Sequence, residues 1–339
     1  MSNCCCDDDN DCCGSDEILT VSTKLNVKDV LGAWKVRWGF GRDNYTVEPG
    51  IYAVGNPDKS SPVLVSANYK LTFDTLRKNL DGLDCWLLIL DTKGVNVWCA
   101  AGKGTFGTDE LVSRIEAVGL DEIVDHRRII LPQLGATGVC GHEVKQRTGF
   151  SVVFGPVRAS DVKQFIAADC KATKEMRTVK FTFYDRLILT PMELVEAIKI
   201  SFVVFGFLFL INLFATRLFG ITDLLIYLAA IFAGAVITPV LLPFIPGRAF
   251  SFKGWFIGLI CTALIACGFG WFSPSYLFLG IGYTLALPSL SAFLALNFTG
   301  ASTYTSPSGV LKEMKIAIPV IAILFVAGII LVLIKTFSG

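Results

Sequence analysis

The chain has 339 residues, a formal net charge of +1, a hydrophobic share of 53% and a charged share of only 17%. Near-neutrality excludes the broad basic field that nucleic-acid binding requires. A charged share well below the roughly 25% of soluble domains points to a chain partly out of water.

The deficit is local. Residues 254–311 carry no charged side chain, whereas 24–186 are ordinarily polar. The composition changes near residue 190, which divides the chain into a disordered tail (1–25), a soluble domain (26–185) and a transmembrane domain (190–339). The tail sets Cys4, Cys5, Cys6, Cys12 and Cys13 among Asp7, Asp8, Asp9 and Asp11, and is too polar to build a core. Thiolates also suit soft cations, but this spacing defines no coordination geometry. The first residues lack the basic start and apolar run of a secretory leader, so the soluble domain is expected in the cytoplasm. Eleven cysteines without a leader give no disulfide framework. No Cys-x-x-Cys pair occurs, which argues against a zinc ribbon or a built-in iron–sulfur cluster.

From residue 51 onward, short β-rich runs alternate with helical patterns. Strands are expected at 62–67, 85–90, 128–131 and 150–154, and helices at 72–80, 109–118, 141–147 and 161–168. Continuous apolar strands between helices imply a parallel sheet covered on both faces. Ligands bind such sheets beyond the carboxyl ends of the strands. Those ends are residues 66–69, 91–103, 132–137 and 155–158. Asn68, Gln133, Gly135, Thr137 and Arg158 lie there, as candidate ligand contacts or ordinary loop residues. Trp34 and Trp38 are expected in packing.

The richest of these segments is 94–104. It is not a phosphate-binding P-loop, because Val97 and Gly104 stand where that motif needs Gly and Ser or Thr. Asn96 is a good N-cap for a short helix through Lys103. Cys99 then falls in the first turn, where the positive helix end favours a thiolate. Ala100 and Ala101 lack bulk, so a broad flat ligand has room beside the helix backbone. The ordinary fate of such a cysteine is a small buried core residue. Both readings stand on these residues alone.

Residues 96–103, Asn-Val-Trp-Cys-Ala-Ala-Gly-Lys, resemble the cap-helix signature of the HgcA family, the corrinoid proteins of microbial mercury methylation. Residues 67–71, 91–94 and 103–108 resemble the same family, and the likeness extends over about 50–335. The soluble domain also resembles the large subunit of the corrinoid iron–sulfur protein of acetyl-CoA synthesis, a relative similar to the soluble half alone. The resemblance implies an α/β Rossmann-like corrinoid-binding domain followed by an all-α five-helix transmembrane domain. It implies a corrinoid with Cys99 as lower axial ligand of cobalt, held by Asn96, Val97, Trp98, Ala100, Ala101, Gly102, Lys103, Asn68, Gln133, Gly135 and Thr137. Lys103 would neutralise the corrinoid phosphate or stay solvated. The implied activity is methyl transfer to Hg(II). The implied partners are a ferredoxin-like protein with two [4Fe–4S] clusters as reductant and a methylated folate or methyl-donating protein. The B12 pattern Asp-x-His-x-x-Gly is absent, and the chain has only two histidines, His126 and His142.

Beyond residue 190, five segments have the roughly 20 apolar residues that span a bilayer: 194–216, 221–245, 254–272, 276–298 and 316–334. With the soluble domain cytoplasmic, Arg248, Lys253, Lys312 and Lys315 lie inside, against Arg217 and Lys335 outside. The C-terminus is then outside, in a multi-pass protein of the cytoplasmic membrane. The span centres lack ionisable groups, which suits anchoring and docking better than transport. The polar loop 297–309 faces the soluble domain, as a solvated loop or a docking surface.

Overall fold

A computed structural model of the chain describes residues 18–214, 220–271 and 273–338. The cysteine cluster of the tail, with Arg217 and Phe272, lies outside the described residues. The chain divides into two compact units, one of residues 1–36 and 41–178, the other of 37–40 and 179–339.

The first unit is a six-stranded sheet with helices on both faces. In chain order it runs β1 (Leu19–Thr20), α1 (Val27–Arg37), β2 (Gly50–Val54), β3 (Val63–Ala67), α2 (Lys70–Lys78), β4 (Cys85–Leu90), α3 (Val97–Lys103), α4 (Thr108–Ala117), α5 (Leu120–Ile123), β5 (Arg128–Leu131), α6 (Gly141–Thr148), β6 (Ser151–Phe154) and α7 (Val162–Ala167). The strand order is β1-β2-β4-β3-β5-β6. Every residue of β3 and β4 is buried, the mark of strands covered on both faces. One core joins Val63, Val65, Leu88, Leu90, Ile129 and Leu131 to residues of α3, α4 and α6. The other joins Leu64, Leu87, Ile89 and Ile130 to Phe73 of α2 and Phe165 of α7.

The sheet is mixed, not wholly parallel. β3, β4, β5 and β6 are parallel, but β2 pairs antiparallel with β4, Val54 opposite Cys85. β1 pairs parallel with β2, so the sheet takes in Leu19–Thr20 from the stretch expected to be disordered. Trp34 is 62% exposed and so is not core packing. It lies with Val27, Val30 and Leu31 on an apolar outer face of α1.

The start of the first unit is fastened by ion pairs. Arg77 of α2 donates to Asp74 Oδ1 (2.8 Å) and Asp29 Oδ2 (2.7 Å), and also to the Ser22 and Lys24 carbonyls. Lys70 reaches Asp29 and Asp74 at 2.7 Å each. Burial pushes the Asp29 carboxyl up, but the Lys70 ammonium, the Asn26 amide and the Arg77 guanidinium overcome it and hold the pKa at about 2.

The second unit is helical: α8 (Phe183–Leu187), α9 (Thr190–Phe214), α10 (Ile221–Phe232), a π-turn at Ala233–Ile237, α11 (Thr238–Leu241), α12 (Phe250–Phe269), α13 (Leu277–Asn297) and α14 (Pro307–Ser338). Among the described residues, four helical spans are long and apolar enough to cross a membrane: Ile221–Leu241, Phe250–Phe269, Leu277–Ala301 and Ser308–Thr336. The fifth expected segment forms α9 but is not among them. Small residues set the helix contacts, as they do in lipid. A Cβ on Gly258 would stand 2.8 Å from the Pro288 backbone, and one on Gly328 would stand 2.5 Å from the Gly282 carbonyl.

Candidate functional site

The chain reverses its course across the sheet between β3 and β5. β4 lies on one side of β3, and the next strand, β5, returns to the other. At such a switch point the loops leave in opposite directions and open a crevice beyond the strand ends. A cavity of about 420 Å³ lies there, lined by Ser66, Tyr69, Pro132, Gly155 and Pro156, by Leu71, Thr72 and Thr75 of α2, and by Asn96, Val97 and Trp98. Most of that lining is apolar.

The loop from β4 to α3 borders the crevice, and Asn68 organises it. The Asn68 side chain is 5% exposed. Its Oδ1 accepts from the Thr92 and Gly94 amides, both at 3.1 Å, and lies 2.9 Å from the Thr92 hydroxyl. Its Nδ2 donates to Asp91 Oδ1 at 3.2 Å. Asp91 also takes the Lys93 amide and pairs with the Lys93 ammonium, which holds its carboxyl below the usual range. Lys93 and Gly94 have φ of +56° and +70°, and the Val95 amide donates to the Thr92 carbonyl. This is the geometry of a type I′ turn. A Cβ on Gly94 would stand 2.9 Å from Thr46 Cγ2 and 3.1 Å from the Asp43 carbonyl, so glycine is required.

Helix α3 follows with the expected cap: Asn96 Oδ1 accepts the Cys99 amide at 2.9 Å. Gly104, at φ +82°, ends the helix. Val97, Ala100 and Ala101 are buried, while Trp98 (46% exposed), Cys99, Gly102 and Lys103 form the outer face. A Cβ on Gly102 would meet nothing within 4 Å, so the surface beside Cys99 is open. Cys99 is thus not a core residue.

The small size of Ala100 and Ala101 has a different cause from the one expected. Both point into the core, and a Cβ on Gly138 would come within 3.0 Å of Ala101 Cα. Their lack of bulk lets α3 settle onto the segment after β5. The open side of the helix is made by Gly102.

The remaining candidates are spread. Gly135 is buried, where a Cβ would collide with the Phe106 ring at 2.5 Å, so it is a packing position. Gln133 accepts a hydrogen bond from Arg177. Thr137 is exposed and Arg158 half-buried. None of these four, nor Asn68, Cys99 or Lys103, lines the crevice. Of the candidates, only Asn96, Val97 and Trp98 line it. The strand end at 155–158, expected from the sequence, does contribute to the wall, whereas sequence reasoning missed the apolar face of α2, whose residues carry no chemical signature.

His126 stands just before β5, at the end of the sheet opposite the crevice. Its Nδ1 accepts the Arg128 amide (3.3 Å), which leaves Nε2–H to donate to the Ser61 carbonyl (2.9 Å). His142 is exposed on the first turn of α6. Among the described residues, no three His, Cys, Asp or Glu side chains group as a metal site.

Residues 33–166 match the family model described as CO dehydrogenase/acetyl-CoA synthase delta subunit. Curated relatives match stretches of similar length. The acetyl-CoA decarbonylase/synthase complex subunit gamma of Methanopyrus kandleri is 34% identical over 127 residues, which are 37% of this chain and 27% of the relative. That of Methanocaldococcus jannaschii is 37% identical over 127 residues, 37% and 26% of the two chains. That of Archaeoglobus fulgidus is 31% identical over 122 residues, 35% and 26%. The chain therefore spans about a quarter of the length of the curated relatives it matches.

Proposed function

We propose that this chain is a membrane-anchored corrinoid protein that passes methyl groups in one-carbon chemistry, with Cys99 as lower axial ligand to cobalt. The observation that carries the reading is an exposed thiol on an open helix face, next to an apolar crevice at the sheet's switch point.

The residues present fit such a group. Trp98 and Gly102 flank Cys99 on the outer face of α3, and the open space at Gly102 leaves room for a macrocycle beside the thiol. The cavity, at about 420 Å³, is within the range of small-ligand pockets and suits an appended side group. Both ring nitrogens of His126 are engaged, which takes one of the chain's two imidazoles out of the choice of axial donor. When bound, the corrinoid supplies a cobalt centre that takes up and gives away a methyl group, and the axial donor tunes it. The chain's own contribution is positioning. Asn68 fixes the loop, Asn96 fixes the first turn of α3, and together they hold Cys99 Sγ outward. Lys103, exposed in the last turn, would meet the phosphate of the corrinoid tail.

The finer reading, from the resemblance at residues 96–103, makes Hg(II) the methyl acceptor, with methylmercury as product. It calls for a ferredoxin-like reductant with two [4Fe–4S] clusters and for a methylated folate or methyl-donating protein. Five spans, α9 included, would place the soluble unit in the cytoplasm and the C-terminus outside. A second reading takes a carbon or thiol acceptor in place of mercury, and the curated relatives favour it, since their names place them in acetyl-CoA decarbonylase/synthase complexes.

The test is the visible spectrum of the purified full chain loaded with corrinoid, beside Cys99→Ala. A spectrum that moves with the substitution, together with loss of methyl transfer, is expected. The same spectrum and rate in both proteins would defeat the axial-thiolate reading. Methylmercury formation under reducing conditions then separates the two acceptors.

A further inference from the structure

We infer that the helical unit holds an anionic phospholipid in a groove between α12 and α14, with the headgroup at Arg248 and Lys312. The groove has a volume of about 940 Å³. Helices α12 and α14 form its walls, and Ser289 and Ala292 of α13 form its small-residue floor.

Helix packing explains why the space exists. α13 meets α14 most tightly at Gly282 and Gly328, where backbones approach within what a Cβ would allow. α13 meets α12 at Gly254 and Gly258, against Ser291 and Pro288. The groove is lined by residues 309–324 of α14, the half ahead of its close contact at Gly328. There α14 faces α12 across the floor that α13 provides. At the mouth it is tied to α12, because Glu313 Oε1 accepts both the amide and the hydroxyl of Ser251 at 2.7 Å. The wall below the mouth is apolar, with Trp255, Ile316, Val320 and Leu324.

The charge at the mouth selects the occupant. Arg248 and Lys312 line it, both exposed and neither with an ion-pair partner among the described residues. The one carboxylate there, Glu313, has an oxygen committed to the first turn of α12. Two free cations above an apolar slot match a phosphate ester carrying acyl chains, and basic pockets between membrane helices bind such headgroups. Trp255 lies among the lining residues, as an amphipathic ring suits the headgroup boundary.

The experiment uses the full chain in nanodiscs of equal parts phosphatidylglycerol and phosphatidylcholine, released into detergent for native mass spectrometry. Wild type is expected to retain phosphatidylglycerol selectively. A cation near an anionic lipid surface is worth about 1 kcal/mol. Arg248→Gln with Lys312→Gln should therefore cut the selectivity about thirtyfold, whereas Lys335→Gln, at the far end of α14, should leave it intact. Val320→Trp, which fills the groove, should remove the retained lipid. A wild type that keeps both lipids equally, a double variant with unchanged selectivity, or a Lys335→Gln loss of the same size would overturn the inference. So would a lipid-free dimer that Val320→Trp dissociates, which would show a second chain in the groove.

Discussion

Replacing Asn68 with Ala removes the bracket that shapes the loop before α3, and the structure sets the size of the effect. Thr92 is fully buried and its amide has Asn68 Oδ1 as acceptor at 3.1 Å. Stranding a buried donor costs about 1–3 kcal/mol. The Gly94 amide and the bond to Asp91 add about 1 kcal/mol each as ordinary net hydrogen bonds. The sum is about 3–5 kcal/mol, or at least about a hundredfold in the opening equilibrium of the loop. Hydrogen exchange followed by mass spectrometry reads this locally, which avoids assigning one unfolding free energy to a two-unit protein. Peptides covering 91–99 should exchange at least about a hundredfold faster in Asn68→Ala, while the central residues of β4 keep their protection. Thr92→Val, which spares the backbone bonds, should show a much smaller change, on the order of tenfold or less. If 91–99 exchange at the wild-type rate in Asn68→Ala, the loop is held by something else and the positioning role fails.

Three further outcomes follow from the geometry. Gly94→Ala places a side chain at φ +70° against Thr46 and should destabilise the first unit by about 1–3 kcal/mol in denaturant titration, with Gly102→Ala as the harmless control. Asp29 has a folded pKa of about 2 against an unfolded value near 3.8, so its stabilisation is whole above about pH 4 and vanishes as pH falls through 2. Asp29→Asn should remove that part of the acid transition, and Arg77→Met should cost about 3–5 kcal/mol by leaving two buried carboxylates poorly matched. Alkylation of the native chain at neutral pH, mapped by peptide mass spectrometry, should mark Cys99 and Cys140 but spare Cys85, which is buried and pushed up to about 12 by burial and Asp84.

The central strands were legible because their residues leave little choice. Cys85–Leu90 is six apolar residues in a row, and such a run fits a strand covered on both faces. β2 was not legible. Its five residues would serve equally in either direction, and its antiparallel partner β4 lies beyond β3 and α2 in the chain, out of reach of local pattern. The capped helix at Asn96 could be read because side chain and amide are three residues apart. Which side of that helix faces inward could not. Ala100 and Ala101 look like room for a ligand until Gly138 and Phe106 are placed against them. Asn68 was rightly marked as standing at a strand end, yet its partners lie 23 to 26 residues away, and nothing in the sequence names them. The ion pairs of Asp29 were invisible for the same reason. Trp34 shows the opposite failure, a large apolar side chain left outside.

The guanidinium of Arg77 has a consequence for where this domain can be cut. The match to the family model starts at residue 33, yet two of the acceptors that neutralise and cradle Arg77 are the Ser22 carbonyl and the Asp29 carboxylate. A fragment trimmed to the kinship boundary would lose Asp29, leave a cation in the interior with half its counter-charge, and shed the edge strand as well. The matched stretch and the self-sufficient fold thus begin at different places along this polypeptide, and a shortened version meant to stand alone has to begin ahead of Leu19.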